Sequence, residues 1–163
     1  MSSLAGSFLI ARPILHDPNF MESVVLMIQH GAAGAFGVVV NKPAVTKSEL
    51  PFPVFLGGPC ESEGLLLVHG HPEWSTDPHQ LAPGIFLGDQ ACSDRVTDLQ
   101  PGAEARFRMF AGYAGWGPGQ LEGELSSGAW AVLPASGAIL FDTPTERIWR
   151  DLLPPMLPQP SLN

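Results

Sequence analysis

The stretch from Ala105 to Pro134, ARFRMFAGYAGWGPGQLEGELSSGAWAVLP, constrains the fold more than any other part of the chain. It reads as a strand that ends in a glycine-rich turn, passes directly into a short amphipathic helix and returns as a second strand. Phe107, Met109, Ala111 and Tyr113 alternate with Arg106, Arg108, Phe110 and Gly112, a period of two that predicts a strand with the first set facing the core. Pro118 suits the first helical position, Leu121 and Leu125 give the helix a narrow apolar stripe, and Gly128 closes it. Elements this short must bury one face on a neighbour, so the stretch calls for a sheet with helices packed against it.

The remainder of the chain supplies that sheet. Residues 6–12 form an apolar run stopped by Pro13, and Asp17-Pro18-Asn19 is turn chemistry. Val24 to Gln29 and Ala35 to Val40 are apolar, β-branched runs joined by a glycine-bearing loop, which predicts a hairpin ended by Asn41-Lys42-Pro43. Residues 44–53, with little pattern and two prolines, read as a connecting loop with at most one helical turn. Val54 to Leu56 and Gly64 to Gly70 predict a second hairpin through Gly57-Gly58-Pro59-Cys60, and residues 71–83 a surface loop around Trp74. Ile85 to Leu87 reads as a strand; Asp89 then offers an N-cap to a helix reaching Leu99, with Cys92 and Val96 on its inner face. Trp130 to Leu133 and Ile139 to Phe141 read as the last strands. Thr143-Pro144-Thr145-Glu146 reads as a capping box, opening a helix with a Glu146–Arg150 pair. Nine strands and three peripheral helices give an α+β domain with a mostly antiparallel, strongly curved sheet. One domain over residues 1–153 and a proline-rich tail over 154–163 account for the chain.

Composition limits the function. Eight basic against sixteen acidic residues give a net charge of −8, and the basic ones are scattered. Binding to nucleic acid depends on phosphate neutralisation by Lys and Arg, so this balance argues against it, and equally against an anionic membrane surface. Two cysteines, no positive n-region before the first apolar run and no apolar stretch of spanning length make the cytoplasm the expected location.

GSFLIARPxLxDPNFxxSVVLxxxH, GAFGVVVNKP, VFLGGP, LLLVH and above all FAGYAGWGPGQLExE with a following Trp resemble, in order, the motifs of the YqgE/AlgH family of bacterial proteins. The likeness spans roughly residues 6–153. It implies a compact α+β fold with a pseudo-barrel sheet and a transcriptional-regulator label, but no reaction. This chain departs from the family pattern with Lys42 in place of an arginine, a shortened segment between Pro43 and Val54, and Cys60 after Gly-Gly-Pro.

Each candidate chemistry has a plainer counterpart. Gly115 to Gln120 could cradle an anion at a helix start, but Glu122 and Glu124 already complement that helix end, which favours a packing corner under Trp116. His69 and His71 share one side of a strand without an evident third metal ligand. Cys60 could be a nucleophile with His69 or His30 as base, although Glu61 and Glu63 oppose thiolate formation. The sequence therefore favours a non-enzymatic binding or regulatory domain, with a hydrolase or thiol enzyme using Cys60 or His69 as the alternative. Contacts to a small molecule or protein partner are expected at Asp17, Asn19, Asn41, Lys42, Gly57, Gly58, Cys60, His69, Trp116 and Gln120. No cofactor or metal is expected, and the oligomeric state is not encoded legibly.

Overall fold

The structure is a computed structural model and describes residues 3–15, 17–18, 20–42, 44–45, 52–99 and 105–153, with backbone alone at 44, 45 and 62. Its strands are β1 (Ser7–Ala11), β2 (Val24–Gly31), β3 (Gly34–Val39), β4 (Ala44–Val45), β5 (Val54–Leu56), β6 (Cys60–His69), β7 (His79–Ala82), β8 (Ile85–Leu87), β9 (Phe107–Trp116) and β10 (Trp130–Pro134). The helices are α1 (Gln90–Thr97), α2 (Gln120–Ser126), α3 (Gly137–Asp142) and α4 (Thr145–Leu152), with a 3-10 turn at Pro72–Trp74. The strands run in the order β10-β1-β2-β3-β9-β6-β8-β7, antiparallel at every step, while β5 lies parallel to β9 and carries β4. This is the expected α+β architecture, a curled, barrel-like sheet. Its two ends approach each other where the Gly137 N–H, just past β10, donates to the Pro83 carbonyl between β7 and β8 at 2.8 Å.

Alternation along the strands sorts side chains between an interior and two outer cores. Phe8, Ile10, Leu26, Val38, Val68 and Phe110 fill the interior, with Leu140 of α3 and Ile148 of α4. Leu9, Val25, Met27 and Val39 face outward beneath Leu121 of α2, and Leu67 and Met109 face outward beneath Cys92 and Val96 of α1. The central strands are therefore apolar on both faces, as the unbroken runs at Val24 and Ala35 imply. Helix α4 is pinned by the Trp149 indole N–H, which donates to the Ala11 carbonyl at 2.7 Å.

Several local expectations are corrected. β5 and β6 do not form a hairpin: Met109 to Ala111 pair with β5 on one edge and with β6 on the other, so β9 separates them. Residues 71–83 hold the 3-10 turn and β7, and Trp74 is buried. Ile139 to Phe141 lie in α3, because the Ser136 hydroxyl caps the Ile139 N–H and starts a helix where three apolar residues could equally extend a strand. The Thr143 N–H is spent closing α3 onto the Ile139 carbonyl, so Pro144 becomes the N-cap of α4, without a side-chain cap, and no capping box forms. Its i,i+4 ion pair is Arg147–Asp151 at 3.2 Å rather than Glu146–Arg150. Pro118 precedes the N-cap of α2, which is Gly119. Among the described residues there are ten strands and four α-helices rather than nine and three. The tail 154–163 lies outside the described residues.

Candidate functional site

The period of two in β9 holds only as far as Gly112. Met109 and Ala111 pack in an outer core and Phe110 in the interior, yet beyond Gly112 it is Ala114 and Trp116 that face outward. Tyr113 consequently falls on the same side as Phe110 and meets Phe36 edge to face, at 6.0 Å and 78°. One extra residue in a strand has this effect, and Gly112 has the positive φ, 81°, of such a bulge. The partner strand breaks at the same level. Cys60 pairs with Tyr113 and Leu65 with Ala111, so residues 61–64 loop out opposite Gly112.

Two clefts adjoin this break. The first, about 460 Å³, is lined by Phe36, Val38, Gly64, Leu65, Leu66, Gly112 and Tyr113. The second, about 440 Å³, is bounded by Leu56, Gly58, Pro59, Cys60, Glu61, Ala111 and Gly112. Leu56 and Leu65, on their lips, are each 45% exposed although large and apolar.

The residues singled out from sequence are spread over four places. Gly58 and Cys60 line the second cleft, and Gly57 is buried beside it, its N–H donating to the Ala111 carbonyl and its carbonyl accepting from Val39. Asn41 clamps two backbones: its Oδ1 accepts from Val24 N and its Nδ2 donates to the Glu22 carbonyl, both at 2.9 Å. It also lines a smaller cleft of about 230 Å³ beside α4, and Lys42 follows it, half-buried. The exposed Asp17 opens a turn whose carbonyl receives Phe20 and Met21 N–H, and Asn19 lies outside the described residues. That turn meets the Trp116 corner, because Phe20 stacks on Trp116 at 6.1 Å. Trp116 is buried, and Gln120 is turned back on its own corner, its Oε1 accepting from Gly117 N at 3.0 Å.

His69, fully buried, has both ring nitrogens engaged. The His71 N–H donates to Nδ1 at 3.0 Å, which places the ring proton on Nε2, and Nε2 faces Cys92 Sγ at 3.5 Å. The Cys92 thiol has the Trp74 carbonyl as its acceptor at 3.7 Å, and burial pushes its pKa up. An imidazole already protonated on the nitrogen that faces the sulfur cannot take the thiol proton. His69 is also far from Cys60: their β9 partners, Phe107 and Tyr113, stand about 20 Å apart at the usual rise of a strand. His30 is likewise committed, accepting from Leu4 N at Nδ1 and facing the Glu122 carboxylate at 2.8 Å through Nε2. Among the described residues no three His, Cys, Asp or Glu side chains group as metal ligands would.

Burial holds the His69 pKa below its ordinary value, with His71 adding to the effect and Asp89 and Glu73 opposing it. The unfolded chain therefore binds a proton more readily than the folded one once pH drops below about 6.5, and His69 contributes stability that is full above that pH and lost as pH falls towards the lower folded value. Urea unfolding at pH 8 and pH 5 should show the native chain losing more stability on acidification than His69→Asn, whose side-chain oxygen can still accept the His71 N–H. Equal losses would contradict this.

Sequence reasoning missed Phe36, Leu65, Leu66, Gly112 and Tyr113. The available signal was a glycine inside an otherwise regular strand pattern, which marks a bulge.

A family model described as AlgH-like matches residues 8–161. A UPF0301 protein of Myxococcus xanthus is 34% identical over 99% of this chain and 96% of its own length. Another, from Streptomyces coelicolor, is 37% identical over 94% and 86%. Among solved structures, the AlgH protein from Pseudomonas aeruginosa superposes with a TM-score of 0.69 at 28% identity, covering 92% of this chain and 87% of that one. A Corynebacterium diphtheriae protein gives 0.72 at 23%, a likeness of fold, covering 96% and 88%.

Proposed function

Because the chain belongs to the AlgH-like family, whose fold it shares, we propose that it is a non-enzymatic binding or regulatory domain whose contact surface is the sheet break at Gly112. The observation that carries this reading is the pair of adjoining clefts with exposed Leu56 and Leu65 on their lips, set on paired strands. Rigid scaffolds commonly present binding residues this way, and bulges often sit beside functional sites. Among the described residues no helix is long and apolar enough to cross a membrane. A thermal-shift screen of metabolites and nucleotides tests the proposal: a stabilising compound should lose its effect on Leu65→Glu or Leu56→Glu. Compounds that stabilise both variants as well as the native chain would place the site elsewhere.

A thiol enzyme remains the second reading for one reason, the half-buried Cys60 in the wall of the second cleft. His69 and His30 are both committed to other partners, which supports a thiol without a histidine base. Iodoacetamide at pH 8 should modify Cys60 in the folded protein while Cys92, fully buried with a raised pKa, reacts slower by about a hundredfold or more, since thiolate fraction and access set the rate. Peptide mapping after timed labelling measures both. Comparable rates would mean that the Cys92 pocket opens readily.

DNA binding finds little support in a chain with net charge −8 whose Arg106 and Arg147 are paired with Asp142 and Asp151. Duplex binding that weakens steeply with salt would reverse that judgement.

A further inference from the structure

We propose that the first cleft takes a small, uncharged, apolar ligand, an inference that rests on reading the Gly112 break as the binding site. The floor of this cleft is the barrel interior: Val38 is fully buried in the interior core, and Leu66 packs against it. One wall is the Phe36–Tyr113 pair and the lip is Leu65. Its volume of about 460 Å³ lies in the usual range for small-molecule sites, which are mainly apolar and occur in the mouths of barrels. Among the described residues, the lining includes no carboxylate, ammonium, guanidinium or imidazole. An anionic ligand would lose hydration there without gaining a cation, and the nearest acidic groups in sequence, exposed Glu61 of the adjoining cleft and exposed Glu63, lie on the segment that leads into Gly64 of the lining and would oppose its approach. A second copy of the chain is a poorer occupant, because a two-fold contact through this face would bring those carboxylates towards their symmetry mates.

Two fluorescent probes that differ by one sulfonate provide the test: N-phenylnaphthylamine, which is neutral, and anilinonaphthalene sulfonate. The neutral probe should saturate at one per chain and bind roughly tenfold more tightly than the sulfonate. Leu65→Glu should weaken the neutral probe by about tenfold or more. Glu61→Gln combined with Glu63→Gln should narrow the gap between the probes. Gly64→Leu is the second blocking variant, since a Cβ there meets nothing within 4 Å and the fold can accept it; circular dichroism checks both blocking variants. If the sulfonate binds as tightly as the neutral probe and both respond to Leu65→Glu, the ligand class is wrong and the site stands. If neither probe binds, or neither blocking variant matters, the site falls with it. Sedimentation velocity that reveals a dimer dispersed by the neutral probe would instead make the chain its own occupant and overturn the proposal.

Discussion

Replacing Glu124 with alanine is expected to destabilise the protein by about 3 kcal/mol, because two buried indole N–H groups lose their only described acceptor, at roughly 1–3 kcal/mol each. Glu124 Oε1 accepts from Trp116 Nε1 at 3.0 Å and from Trp130 Nε1 at 2.8 Å, while Oε2 takes the Gln120 amide at 3.2 Å. The two indoles are 6% and 3% exposed and cross at 74°, with Phe20 stacked on one and edge-on to the other. One carboxylate thus fixes the angle between β9, α2 and β10. For a chain of this size the loss corresponds to a fall of roughly 10 °C in Tm. Glu124→Gln keeps an oxygen that can accept both indoles and should cost only about 1 kcal/mol, the difference between a charge-assisted and a neutral hydrogen bond. Urea unfolding of the two variants measures the pair. An alanine variant as stable as the glutamine one would mean that solvent reaches the indoles and the carboxylate is dispensable.

The same corner shows what sequence could reveal. Glu122 and Glu124 were legible as charges near a helix start, and Trp116 as a lid; both readings favoured packing over an anion loop, and Trp116 is indeed buried. The indole partners were not legible, since only the β1–β10 pairing and the β3–β9 register bring Trp130 and Trp116 to one carboxylate. The hairpin at Val24 to Val39 and the Asp89 cap on Cys92 N rest on near neighbours in sequence, and both appear where expected. The β5–β6 hairpin failed because β9, entering from fifty or so residues later, offers β5 a better partner, and such non-local pairing leaves no local trace. His69 shows the same limit. Its place on a strand was readable, but its contact with Cys92 depends on how α1 folds back over β6. At Gly112 the limit is different: the glycine hints at a bulge, but the alternation FRMFAGYAGW looks regular throughout, and the change of phase shows only in the positive φ and in the outward packing of Ala114 and Trp116.

That phase change leads to the largest expected effect of any single methyl group. Gly58→Ala should cost about 4 kcal/mol or more and leave little soluble protein, since strain and overpacking would coincide at one site. Gly58 has φ 153°, and a Cβ there would fall on the Tyr113 carbonyl and 2.6 Å from Ala114 N, both backbone atoms held in the sheet. Gly112 faces it from β9: a Cβ at that position would come within 2.9 Å of the carbonyl oxygens of both Gly58 and Cys60. The two glycines therefore let three segments approach more closely than side chains allow, and the clefts open beside that contact. Gly119→Ala separates the two causes. Its φ of 76° imposes the left-handed strain, but nothing lies within 4 Å of the added Cβ, so it should cost only about 1–2 kcal/mol. If Gly58→Ala proves no worse than Gly119→Ala, the close approach is not maintained in solution, and the break at Gly112 would be a pliable joint rather than a rigid rim. If it is much worse, as expected, any Gly58 variant that still folds should also bind the neutral naphthylamine probe more weakly, because the first cleft takes Gly112 and Tyr113 from the strand that Gly58 is packed against.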